Sequence, residues 1–163
     1  MEDAHALTGA ESFILFGSAG TLDEDKTKGK FIIPTSAYRD EGLSYHYLEK
    51  GDYVELEGWR TVEKVFASLK VPYVLGRTWT TDAFYRETRD NMEKRKAEGC
   101  IAVDMECASA MAAGQFRGVP VYQFFYADDC LDGETWDPRT LGARPVSSHE
   151  TYLRVALEIA ARL

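Results

Sequence analysis

The chain has 163 residues, of which 45% are hydrophobic and 28% are charged, a composition typical of one globular domain rather than of a disordered segment. Its formal net charge of -8, from 19 Lys and Arg against 27 Asp and Glu, disfavours a nucleic-acid partner because an acidic surface repels phosphate backbones. The uncharged apolar stretches are too short to cross a bilayer and the acidic N-terminus has no apolar signal core, so we expect a soluble cytoplasmic protein without a membrane partner.

Apolar periodicity predicts helices and strands that alternate along the chain. Gly9 and Gly118 are expected to close helices, and Pro34 is expected to stop a strand. The predicted elements are, in chain order, a helix over 3–8, strands over 12–16 and 30–34, a helix over 59–69, a strand over 71–79, a helix over 88–97, a strand over 100–103, a helix over 105–116, a strand over 119–127 and a helix over 147–163. This alternation indicates an α/β fold with a mixed, largely parallel central sheet flanked by helices, in a single domain over residues 1–163.

Ligands of such sheets bind at the carboxyl ends of the strands, and this rule selects four places in the sequence. They are residues 17–20, the turn after Trp79, residues 104–106 and residues 128–129. Residues 131–146, which contain Gly and Pro, predict a loop that covers one end of the sheet.

Residues 17–20 (GSAG) follow a predicted strand and are expected to form a turn of small residues. Such a turn lets the backbone N–H groups of Ser18 and Gly20 approach an anion or a sugar, although glycine after a strand is more often an ordinary turn. No Lys-Ser/Thr pair follows, which excludes a Walker loop, and no third glycine opens a helix, which excludes a dinucleotide fingerprint.

Two pairs of carboxylates stand at the other strand ends. Asp104 and Glu106 flank Met105 at a strand-to-helix junction, where they either cap the helix or accept hydrogen bonds from paired hydroxyls such as those of a ribose. Asp128 and Asp129 end a strand of large apolar residues and point in different directions, which predicts one catalytic acid and one solvated residue, with loop capping as the alternative.

Further candidate residues are more ambiguous. His46 is the best placed of the three histidines for binding, although a lone histidine is more often structural, and Phe84 is either a core residue or part of a binding site. No spacing in the sequence indicates a metal site or a catalytic triad. Cys100, Cys107 and Cys130 lie in or beside apolar runs, so we expect their thiols to be free and buried. Free thiols in turn indicate that the protein is in a reducing compartment.

The motifs agree in order and approximate spacing with those of one family. They are residues 16–20 (FGSAG), 33–42 (IPTSAYRDEG) with 44–47 (SYHY), 80–88 (TTDAFYRET), 103–106 (VDME) and 128–129 (DD). Together they resemble the nucleoside phosphorylase family, which contains purine nucleoside phosphorylases, uridine phosphorylases and related nucleosidases. The resemblance extends over essentially the whole chain and implies the phosphorylase fold.

The resemblance implies which residues bind the sugar and the phosphate. Glu106 matches the carboxylate that grips the ribose hydroxyls, and Met105 matches the side chain that packs against the sugar. Ser18 and Gly20 fall in the segment that touches phosphate and sugar.

The resemblance also assigns the base end of the site. Phe84 matches the aromatic residue that stacks near the base, and Asp129 matches the catalytic acid that protonates or hydrogen-bonds the leaving base. His46 and Arg39 lie in the matching segments and are candidate substrate-binding residues. The implied reaction cleaves the N-glycosidic bond of a nucleoside with phosphate to give the free base and ribose 1-phosphate, with phosphate as co-substrate and no cofactor or metal.

The chain departs from the family in two ways. Leu15 stands where family members carry a phosphate-binding arginine, and the family's N-terminal third, with its phosphate loop, has no counterpart here. Phosphorolysis would then need an anion site rebuilt from Arg39, Arg86 or a neighbouring subunit. The alternatives are a phosphate-independent nucleosidase and a nucleoside-binding protein without catalysis.

The family assembles as oligomers, and a sheet without its first strands would expose an unpaired edge that favours association. The resemblance therefore predicts a homo-oligomer.

Overall fold

The computed structural model describes residues 1–143 and 145–163, and the described residues form alternating strands and helices. The strands are β1 (Phe13–Thr21), β2 (Phe31–Asp40), β3 (Tyr53–Glu55), β4 (Tyr73–Thr81), β5 (Cys100–Asp104) and β6 (Val121–Cys130). The helices are α1 (Glu2–Thr8), α2 (Glu24–Thr27), α3 (Trp59–Leu69), α4 (Arg89–Ala97), α5 (Cys107–Arg117) and α6 (Val146–Ala160). None of these helices is long and apolar enough to cross a membrane.

The strands form one mixed sheet in the order β3-β2-β4-β5-β1-β6, which confirms the predicted fold class. The three longest ladders, β1 with β6, β2 with β4 and β4 with β5, are parallel. The sheet also closes on itself, because Phe31 and Ile32 of β2 pair with Tyr126 and Phe125 of β6. β6 thus has strand partners on both sides, whereas β3 pairs with β2 alone among the described strands.

All five predicted strands end later than predicted, β1 and β2 by the largest margins, and one strand was not predicted. β1 continues through residues 17–20, which pair with β6 instead of forming a turn, and a bulge between Ala19 and Gly20 shifts the register. β2 continues past Pro34 because a bulge at this point accommodates a residue without a backbone N–H. β3 is only three residues long, too short to show an alternating pattern.

Adjacent residues of the central strands pack into different clusters, as strand geometry requires. Ile33 and Phe124 pack with the side chains of α3 and α6, whereas Ile32 and Phe125 pack with those of α5. The periodicity that predicted α3 therefore marks a helix whose apolar face lies against the sheet, and its predicted bounds, 59–69, are confirmed. All three cysteines are free and buried, as predicted.

Candidate active site

The ends of several strands meet at one cleft of about 860 Å³. The cleft lies where the carboxyl ends of β4, β5 and β6 meet the last residues of β1, so the four places selected from the sequence lie together. Six of the eight residues predicted to act in the site line it: Ser18, Gly20, Phe84, Met105, Glu106 and Asp129.

The two carboxylates at the junction of β5 and α5 have different surroundings. Asp104 is buried, and its Oδ1 accepts hydrogen bonds from the backbone N–H groups of Glu106 at 2.9 Å and Cys107 at 2.7 Å. The carboxylate also accepts from the hydroxyls of Thr78 at 2.6 Å and Thr80 at 3.2 Å, and burial raises the pKa of Asp104 to about 6. Capping is thus the role of Asp104.

Glu106 is left free to act in the cleft. Its side chain is exposed and makes no capping hydrogen bond to α5, although Glu106 is the residue at the N-terminal cap position. Met105, 42% exposed, stands beside it on the cleft wall. The junction therefore presents one carboxylate with no hydrogen-bond partner among the described residues, and one apolar side chain, to a ligand.

The two carboxylates at the end of β6 also differ. Asp128 is buried, and its Oδ1 accepts a hydrogen bond from the Thr140 hydroxyl at 2.8 Å, so the expectation that one of the pair is solvated is wrong. Asp129 is half-buried in the cleft wall, where its Oδ2 accepts a hydrogen bond from the indole Nε1 of Trp136 at 2.7 Å. The structure thus turns Asp128 toward the loop and Asp129 toward the cleft.

The neighbours of Gly20 leave no room for a side chain at this position. A Cβ at this position would lie 2.8 Å from both Leu131 Cδ1 and Val103 Cγ1, and 3.2 Å from Asp129 Oδ1. A larger residue would push the end of β1 away from β5 and β6. Glycine at this position therefore allows the strand ends to converge on the cleft.

The predicted loop lines the cleft and is tied to α4. Arg89 donates hydrogen bonds from Nη2 to the carbonyls of Gly133 at 2.5 Å and Glu134 at 3.0 Å, and Lys96 forms an ion pair with Asp132. Residues 131–143 of this loop are described, whereas Arg144 lies outside the described residues and Val146 already belongs to α6.

Glu87 was not singled out from the sequence, yet it also lines the cleft. It follows the short 3-10 helix Phe84–Arg86 and is half-buried. Burial, and to a lesser extent the negative charge of Asp129, raises the pKa of Glu87 to about 7. The cleft therefore contains a carboxyl group that exchanges its proton near neutral pH.

Arg39 and His46 lie outside the residues that line this cleft. Arg39 is buried, and its guanidinium donates to Ser44 Oγ at 2.8 Å and to the carbonyl of Glu49 at 2.7 Å. It also stacks on Tyr45 at 4.2 Å from the ring centroid, so it holds its own segment in place. His46 is exposed at the end of a 3-10 helix.

Negative charge dominates the described lining of the cleft. Arg89 is the one cation among these residues, and it is engaged with two loop carbonyls. The described chain contains no group of three or more His, Cys, Asp and Glu residues placed to hold a metal ion. Five carboxyl groups line the cleft, belonging to Glu87, Asp104, Glu106, Asp129 and Glu134.

Comparison with known proteins gives consistent matches. The family model described as the phosphorylase superfamily matches residues 1–162. The purine nucleoside phosphorylase of Plasmodium vivax is 28% identical over 162 residues, covering 95% of this chain and 65% of that protein. The DeoD-type purine nucleoside phosphorylase of an Exiguobacterium species is 24% identical over 159 residues, again covering 95% and 65%. The chain thus spans about 65% of the length of these two relatives.

A solved structure shows the same fold. The purine nucleoside phosphorylase of Toxoplasma gondii, in complex with immucillin-H, superposes with a TM-score of 0.81 at 21% identity, covering 99% of this chain and 67% of that one. At this identity the likeness concerns the fold alone.

Proposed function

Because the chain belongs to the phosphorylase superfamily, we propose that its cleft binds a nucleoside and that the protein cleaves the N-glycosidic bond with phosphate, releasing the free base and ribose 1-phosphate. The observation that carries this proposal is the convergence of Glu106, Met105, Phe84 and Asp129 in one cleft. These residues come from the ends of three strands, β4, β5 and β6, and each matches a family position for sugar or base.

The arrangement suits a reaction through an oxocarbenium-like state. Glu106 offers an exposed carboxylate to the ribose hydroxyls, and Met105 offers an apolar surface to the sugar ring. Phe84, 50% exposed, offers a ring face to the base. Asp129 lines the same cleft, and the family resemblance assigns it to the leaving base. Negative charge near the sugar stabilises the positive charge that develops as the bond breaks.

Hydrolysis is the second candidate, and the charge of the cleft favours it. An anion such as phosphate needs cationic or N–H donors, but the single lining cation among the described residues is already bonded to the loop. Leu15 adds no donor, and Arg39 is committed to its own segment. Water carries no charge and would enter this cleft without the same repulsion.

Because the matched relatives are purine nucleoside phosphorylases, we expect base release from purine nucleosides to depend on phosphate. The measurement is free base formed from a panel of purine and pyrimidine nucleosides, with and without inorganic phosphate. Equal release without phosphate would contradict phosphorolysis and establish hydrolysis. No release in either condition, with nucleoside still bound, would leave a binding protein without this chemistry.

We also expect the protein to form a homo-oligomer. The family resemblance carries this prediction, and exposed apolar side chains on α6, Leu153 at 50% and Leu157 at 59% exposure, are available for contact between copies. Light scattering checks it, because a monomer has a mass of 18.3 kDa. A mass equal to that of one chain at micromolar concentration would contradict the prediction.

A further inference from the structure

Glu87 lines the cleft close in sequence to Phe84. Its backbone N–H donates to the carbonyl of Phe84 at 3.0 Å, which ties it to the aromatic residue assigned to the base. The side chain lines the same cleft as Asp129 and is near enough to feel its charge. Glu87 therefore lies just before α4 and lines the cleft together with Phe84 and Asp129, the two residues that the resemblance assigns to the base.

In the part of the chain that the structure describes, the carboxyl group of Glu87 has no partner that would hold it ionised. Among the described residues, none donates a hydrogen bond or forms an ion pair with it, and the two influences on its pKa, burial and Asp129, both favour the protonated form. Asp129 differs, because its Oδ2 already accepts a hydrogen bond from Trp136. Neighbouring carboxyl groups with such different surroundings commonly divide the roles of proton donor and charged partner.

The other described charged groups around the cleft do not stabilise an ionised carboxylate at Glu87. Arg89, two residues from Glu87, points its Nη2 at the carbonyls of Gly133 and Glu134. The remaining described charged groups of the lining are all acidic and belong to Asp104, Glu106 and Glu134.

We propose that Glu87 stores the proton that the leaving base receives, and that Asp129 is its charged partner. This inference rests on the proposed function and deepens it, because the family resemblance places the acid at Asp129 alone. In the step, the bond between C1′ and the base nitrogen breaks and its electron pair goes to the base. The Glu87 proton moves to a ring nitrogen of the base, while an oxygen of phosphate or water bonds to C1′ and releases its own proton to solvent. Solvent then returns a proton to Glu87.

The protonation state of Glu87 can be measured without any ligand. Carbon-13 NMR of glutamate side-chain carboxyls, titrated against pH, gives the pKa of each group, and Glu87→Gln identifies the resonance by its loss. We expect Glu87 to titrate at about 7. Asp129→Asn should lower this pKa only part of the way toward the ordinary value of about 4.3, since burial is the larger cause.

The kinetic role is tested by the pH profile of base release. Wild-type kcat/KM should fall about tenfold per pH unit above the pKa of the donor. Glu87→Gln keeps a hydrogen-bond donor but has no proton to give, so we expect kcat/KM to fall about 100-fold near pH 6 and the profile to become flat. Glu93→Gln is the matched control, because Glu93 is exposed on α4 and lies outside the cleft lining, and its profile should match the wild type.

The NMR titration and the kinetic profiles can each contradict the proposal independently. An ordinary glutamate pKa at Glu87 would overturn the proposal whether or not the protein has activity. A Glu87→Gln protein with the wild-type profile would show that the proton comes from elsewhere. Wild-type protein without base release would remove the proposed function and the transfer step, while the NMR titration would still decide separately whether Glu87 holds a proton at neutral pH.

Discussion

Replacing Asp104 with alanine is expected to destabilise the protein by about 3–5 kcal/mol, because several buried donors lose their common acceptor. The N–H groups of Glu106 and Cys107 would be left unpaired at the start of α5, and the hydroxyls of Thr78 and Thr80 would lose a partner. For a domain of this size the loss corresponds to a fall in Tm of about 10 °C or more. Thermal or urea unfolding followed by circular dichroism measures it.

Asp104→Asn is the matched control. Asparagine keeps an oxygen that can accept from the two backbone N–H groups, and the threonine hydroxyls can rotate to accept from its amide. We expect it to cost about 1 kcal/mol, well below the cost of alanine. An alanine variant as stable as the asparagine variant would show that these hydrogen bonds contribute little to the free energy of unfolding.

The sequence predicted the parts of the fold that depend on local pattern. α3 has the predicted bounds because its apolar residues repeat with helical spacing, and the helices that end at Gly9 and Gly118 do so in the left-handed conformation. The errors lie where pairing with a distant strand decides the outcome. Residues 17–20 look like a turn locally, yet β6 supplies partners for all of them, and a bulge allows β2 to pass Pro34.

The site was predictable in outline for a similar reason. The rule that ligands bind at the carboxyl ends of strands selected Glu106 and Asp129, and both line the cleft. Their strands run in opposite directions, and they meet because the last residues of β1 pair with the end of β5 on one side and with the end of β6 on the other. Glu87 has no such signal, since it lies in a polar segment among other charged residues. Its raised pKa comes from burial in the folded cleft and from Asp129, 42 positions further along the chain, and neither is visible in local sequence.

Replacing Glu106 with alanine is expected to lower kcat/KM for base release by about 100-fold to 10,000-fold. Two ribose hydroxyls bonded to one carboxylate contribute about 1.5–3 kcal/mol each, and alanine removes both bonds. Glu106→Gln keeps one acceptor oxygen and should fall between alanine and wild type. The Tm should stay close to that of the wild type in both variants, because the carboxylate is exposed and does not cap α5. Unchanged turnover in the alanine variant would contradict the assignment of the ribose to this carboxylate, whereas lost turnover with an unchanged Tm would separate binding from folding.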